Sequence, residues 1–222
     1  MRPRQSKPTA RPRRPPDLPD MLSPVADAVA LFRGREIVVS NAVVGESEIG
    51  AISAAKLRIE SAVLERVALS GSTFVTIHLR DVRLTGCDLG NVETRALTAL
   101  RVEFLNCRMT GFRVTEECTV EDALVSEGNQ RYAQFASARF RCSEFVACNF
   151  SDAFLAGADL RGCVFRGCTL RNVDLTGAKL EGADLRGSEI ADLRLAPRDV
   201  YGLIVEPAQA MVLSALLGIR IR

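Results

Sequence analysis

From Ala156 to Gly187 the chain reads AGADLRGCVFRGCTLRNVDLTGAKLEGADLRG, in which a large apolar residue returns at every fifth position: Leu160, Phe165, Leu170, Leu175, Leu180 and Leu185. Two places before each stands a smaller residue, Ala158, Cys163, Cys168, Val173, Ala178 or Ala183, and glycine tends to fall two places after. This period matches neither the 3.6 residues of a helical turn nor the two-residue alternation of a flat strand. It fits a chain that turns a corner every five residues and closes a roughly square coil after about twenty, each side pointing its centre and the residue two before it inward. Glycine after the centre suits a corner that needs a permissive backbone.

The register extends in both directions. Upstream the inward ladder continues through Leu155, Phe150, Phe145, Phe140 and Phe135, and downstream through Ile190 and Leu195. It falters at Gln130, resumes at Val125 and Val120, slips by one residue between Thr115 and Glu117, and then holds from Val114 back to Val44. So short a slip reads as a bulge at a corner. Gln130 at an inward position needs hydrogen-bond partners; either a short loop leaves the coil over 126–131 or the side chain bonds to the backbone. The frame predicts an all-β solenoid of about eight coils, a rod roughly 37 Å long at ~4.8 Å per coil. Members of such a stack recur every coil, so Cys87, Cys107, Gly128, Cys148 and Cys168 form one inner column with a gap at the glycine.

The flanks differ from the repeat. Residues 1–17 are rich in Pro, Arg and Lys and nearly devoid of apolar side chains, a composition that cannot bury enough surface to order itself, and they read as a disordered basic tail. Such an arm suits a solvated linker, or contact with nucleic acid or an acidic partner. Residues 18–40 form an N-terminal cap, with Val25, Ala28, Val29 and Phe32 at helical spacing. The coil occupies 41–196, and 197–222 form a C-terminal cap in which Pro207 suits a first helical turn and Gly218 a stop. This helix is apolar all round. One face can close the last coil, and Met211, Val212, Leu213, Leu216 and Leu217 are the expected interface with a second copy.

The repeats at Ala158-Asp159-Leu160-Arg161-Gly162 and Ala183-Asp184-Leu185-Arg186-Gly187 resemble the pentapeptide-repeat family pattern A-(D/N)-L-x-x, and the resemblance runs from roughly Asn41 to Ala196. It implies a right-handed quadrilateral β-helix. Ile52, Leu57, Ile77, Leu97 and Phe112 stand where the family has small residues, so a widened or distorted coil is expected in the first half. The segment IVEPAQAMVLSALLGIRI looks like the family's C-terminal dimerisation module. Some members mimic duplex DNA as dimers and bind the type II topoisomerase gyrase.

Composition narrows the function further. The 222 residues include no Trp, two Tyr and one His, which removes most acid/base chemistry near neutral pH. His78 neighbours the inward Leu79 and points outward, with no nucleophile signature around it, and neither a phosphate-binding loop nor a dinucleotide fingerprint occurs. Six cysteines fall at small inward positions and Cys142 alone faces out, so they fill space instead of ligating metal. Asp159, Asp174 and Asp184 are interleaved with Arg161, Arg171 and Arg186 on convex faces. No catalytic residue, cofactor or metal is expected. Net charge is +2, and without the six basic residues Arg2, Arg4, Lys7, Arg11, Arg13 and Arg14 the body carries −4. That is modest against one phosphate charge per ≈ 1.7 Å of duplex, so gyrase binding ranks second to a non-catalytic protein-binding scaffold, dimeric and cytoplasmic. The rod is not expected to bind nucleic acid or membrane.

Overall fold

The computed structural model describes residues 11–216 and 218–219. Expectations for residues 1–10 and for Leu217 lie outside the described residues, as does the Leu216 side chain.

The molecule is a parallel β-solenoid. In chain order its elements are β1 (Ser23–Pro24), α1 (Ala28–Leu31), β2 (Glu36–Ser40), β3 (Ala42–Val44), β4 (Ser47–Glu48), β5 (Ser53–Glu65), β6 (Val67–Ala68), β7 (Thr73–Thr85), β8 (Glu93–Leu105), β9 (Arg113–Ser126), β10 (Arg139–Arg141), β11 (Glu144–Val146), β12 (Val164–Arg166) and α2 (Pro207–Leu216). Pairing is parallel throughout, joining each residue to the one a coil later, as in Phe145 with Phe165 and Val164 with Asp184. It runs from Ser23 to Ile204, past both expected ends of the coil.

The second half is the pentad made visible. Phe135, Phe140, Phe145, Phe150, Leu155, Leu160, Phe165, Leu170, Leu175, Leu180 and Leu185 are all buried, as are the small residues two places before them. Aromatic rings stack along the axis, with Phe145 and Phe165 centroids 4.6 Å apart at 17°. Corners recur two residues after each centre with positive φ, for example +70° at Gly157, +69° at Gly162 and +56° at Asn172. Most of the residues there are Gly, Asn or Asp, which tolerate the left-handed region at least cost, and Ser137, Cys142 and Ala147 adopt it as well.

The first half is built differently. Strands β5, β7 and β8 are 13 residues each and β9 is 14, running through a corner at Ser61, Asp81, Arg101 and Asp122, all with positive φ. Leu57, Ile77 and Leu97 point inward there and hold the walls apart around an apolar cavity of about 30 Å³, also lined by Phe74, Met109 and Phe112. The first half thus departs from the regular pentad coil where these large residues stand, with long strands around an apolar cavity. Thr94 pairs with Val114 and Ala96 with Glu117, so Thr115 and Glu116 oppose the single Arg95 and form the expected bulge.

Three expectations need correction. Ser23–Pro24 pairs with Ala42–Val43 as a strand, leaving α1 only four residues long; Asp27 caps it by accepting from the Ala30 N–H, and Ala28 and Phe32 pack on the core. Residues 11–17 are placed against the rod, as described below, and do not form a free tail. Gln130 neither loops out nor bonds to the backbone. The Gln130 N–H donates to the Asn149 carbonyl at 2.8 Å, so the coil is unbroken. Its side-chain amide folds over Gly128, where a Cβ would lie 2.1 Å from Nε2. The amide thus fills the gap in the thiol column, and neither Nε2 nor Oε1 has a hydrogen-bond partner among the described residues.

The cysteines of that column share one arrangement. Cys87, Cys107, Cys148 and Cys168 donate their Sγ protons to the carbonyls of Leu64, Leu84, Val125 and Phe145 at 3.6, 3.5, 3.2 and 3.4 Å. The next member is Ser188, whose hydroxyl donates to the Phe165 carbonyl at 3.2 Å in the same way. All seven cysteines are free, and Cys142 alone is not buried. Burial pushes the Cys118 and Cys163 thiols each up to about 12.

Three outcomes follow from this packing. Leu170→Asp places a charge in a 2% exposed position and should cost roughly 3–5 kcal/mol in a denaturant melt. Gln130→Met, which removes two unpartnered polar atoms, should raise stability by roughly 1–3 kcal/mol in the same measurement. In thiol titration of the native protein Cys142 should react promptly, and the other six only after denaturation. Fast native labelling of Cys148 or Cys168 would contradict their inner column.

Candidate interaction surfaces

Three surfaces stand out once the core is subtracted. The first is the C-terminal end. Pro207 opens α2, and Gln209, buried two residues later, donates from Nε2 to the carbonyls of Leu185 and Ser188, both at 2.7 Å. Its Oε1 accepts from the Glu206 N–H at 2.8 Å. One side chain therefore closes carbonyls that the last coil cannot pair with a further coil. Sequence reading missed it, because a glutamine in an apolar helix carries no sign of what it will face. Leu213 is also buried on the rod, so it leaves the set expected at a dimer interface. Met211 and Val212 remain outward, 56% and 44% exposed, with Ile219 at 55%.

The second surface is the set of flat polar faces. Arg161 and Arg186 each clamp the aspartate two residues before them, with Nη2 to Oδ2 distances of 2.7 Å to Asp159 and 2.6 Å to Asp184. Those guanidinium hydrogen bonds hold both carboxyls below the usual carboxylate range. Other pairs link neighbouring coils, such as Arg108 with Asp88 at 2.6 Å and Arg171 with Glu189. Carboxylates so paired stay ionised and serve poorly as proton donors. Among the described residues no group of three or more His, Cys, Asp and Glu is placed to hold a metal ion, and no helix is long and apolar enough to cross a membrane.

The third surface is a strap. The chain from Arg11 to Asp17 lies along the corner column of the first half, against strands more than 60 residues away. Arg11 Nη1 donates to Asp122 Oδ1 at 2.6 Å and its Nη2 to Glu121 Oε1 at 2.5 Å. Arg14 gives Asp122 two more bonds, from its backbone N–H at 3.2 Å and from Nε at 2.9 Å. Arg13 reaches Glu103 at 3.2 Å, whose other oxygen holds Arg83 at 2.8 Å. The Asp17 N–H donates to Asp81 Oδ1 at 2.8 Å, and Arg101 grips the same carboxylate. Burial raises the Asp122 pKa, but the Arg11 and Arg14 hydrogen bonds outweigh it and leave the carboxyl below its ordinary value. Bonding to Asp122 in turn raises the Arg11 pKa. Composition correctly says that this segment buries no apolar core; the acids that order it lie too far along the chain for local reading to find.

Comparison with known proteins agrees with this geometry. The family pattern described as pentapeptide repeats (8 copies) matches residues 131–167 and 148–187. No curated protein matches the chain in sequence. Among solved structures, a trypsin-treated variant of QnrB1, a plasmid-mediated fluoroquinolone resistance protein, is 22% identical with a TM-score of 0.64, covering 91% of this chain and 97% of that one. A second QnrB1 variant is 23% identical with a TM-score of 0.54, covering 78% and 100%. At these identities the likeness is one of fold. Residues 131–187 thus match pentapeptide repeats by sequence, and the remainder of the rod continues their coil as a parallel β-solenoid whose fold is like that of the QnrB1 structures.

Proposed function

We propose that this chain is a non-catalytic scaffold for protein–protein contact that works in the cytoplasm as a homodimer joined through α2. The observation that carries the reading is the division of labour on that helix. Gln209 and Leu213 are spent on closing the rod, while Met211, Val212 and Ile219 stay in solvent at the very end of the molecule. A second copy related by a two-fold axis would bury the same patch on both chains. Between the ends, faces carrying paired charges present a broad surface, and the described residues form apolar core cavities and no polar cleft of the kind that encloses a small substrate.

A second reading, a gyrase-binding DNA mimic, is favoured by the likeness of fold to QnrB1 over most of both chains. Charge speaks against it. Several acids of the flat faces, among them Asp88, Asp159 and Asp184, are matched by arginines two residues or one coil away, and the strap covers Glu121, Asp122 and Glu103.

Sedimentation of the native protein at micromolar concentration should give a dimer, and Met211→Asp with Val212→Asp should give a folded monomer. A monomeric parent would confine α2 to capping. A supercoiling assay with purified gyrase separates the two readings, since the scaffold should leave both activity and quinolone sensitivity unchanged.

A further inference from the structure

Among the described residues the strap is held chiefly by charge. None of residues 11–20 is buried, so apolar packing contributes little to its attachment. Its arginines are partly in solvent, yet the carboxylates they meet are shut away: the side chains of Asp122, Glu103 and Asp81 are 0%, 7% and 8% exposed. The acceptor side is rigid, fixed on stacked corners of neighbouring coils. The ligand side is an extended chain whose Pro12, Pro15 and Pro16 favour the polyproline-II form.

The two match in length. Hydrogen bonds to the two corner aspartates, Asp122 and Asp81, come from Arg11, Arg14 and Asp17, spaced by three, the number of residues in one polyproline-II turn, while Arg13 between them reaches Glu103. One such turn advances about 9.3 Å, and the two coils that separate Asp81 from Asp122 advance about 9.6 Å. The main-chain N–H groups of Arg14 and Asp17 therefore meet successive carboxylates in register, and no proline is asked to donate. A site that reads main-chain spacing as well as guanidinium groups selects for a conformation and a composition together.

We propose that this acidic corner is a recognition site for extended, arginine-rich segments of a partner protein, in which Arg-x-x-Arg is presented in polyproline-II form, and that residues 11–17 occupy it as a displaceable intramolecular ligand. The proposal deepens the scaffold reading and rests on it, but uses a surface remote in the fold from α2. A tethered ligand enjoys a high effective concentration, so only a partner segment richer in arginine, or presented in several copies, displaces it. Because the attachment is ionic, salt weakens it.

The test uses the full-length chain and a fluorescein-labelled peptide of residues 10–17, ARPRRPPD. Fluorescence anisotropy should show weak binding to the parent and binding at least about tenfold tighter to the Arg11→Ala/Arg14→Ala double variant, whose own strap no longer competes. Affinity should fall as salt rises from low to high. Adding Asp122→Asn should abolish the gain, and Glu121→Gln, a more exposed change, should reduce it in a protein whose thermal melt is unchanged. Trypsin should cut between Arg13 and Arg14 faster in the parent as salt or peptide is added. Absence of peptide binding to the double variant, or binding that neither acid substitution reduces, would overturn the proposal. It would leave the dimer and its other faces untouched, since those are read by sedimentation.

Discussion

Everything in this molecule depends on in-register stacking of one coil on the next. Apart from the corner turns, where for example the Ala158 N–H donates to the Leu155 carbonyl, the backbone of this solenoid finds its partners in the coil above or below. Leu155 donates to Asp174, and Asp174 donates back to Ala153. Inward side chains stack for the same reason, which is why thiols repeat their carbonyl contacts down a column and why phenyl rings lie face to face. The constraint also creates the two problems the ends must solve. At the start, Phe32 and Ala28 cover the first coil; at the finish, Gln209 takes up open carbonyls and Leu213 covers the apolar opening.

Much of this was written in the pentads. The run from Phe135 to Leu185 announces itself because both inward positions repeat and because corners need residues that accept positive φ. Where one inward position grows, as at Leu57, Ile77 and Leu97, the frame remains readable but the shape changes to long bent strands around a cavity. Other features escape a periodic reading. Gln130 looks like a break until its amide is seen lying over Gly128, two residues whose shapes are complementary and whose polar atoms are not. Gln209 depends on which carbonyls happen to be left open. The strap depends on acids contributed by three different coils.

The surfaces divide by the physics that holds them. The flat faces carry ion pairs among solvated side chains, which contribute little each to stability but set a patterned exterior. The helical end leaves apolar side chains in water. The strap corner buries charge and satisfies it with arginines on a segment that buries none of its own residues. These are three different languages for a partner, displayed on one rod.

The bulge at Thr115 and Glu116 has a bearing on how such a rod can change. In a stack where each residue sits above its counterpart, one extra residue would rotate the inward and outward roles of everything that follows. Here the surplus is discharged within a single side: pairing is offset between Thr94 and Ala96 and regular again from Glu117 onward. Errors of length are thus quarantined instead of propagated. The long strands of the first half, whose pairing does not need a turn at each pentad, supply the place where an insertion could be absorbed, while the tightly cornered second half tolerates growth only in whole pentads or whole coils.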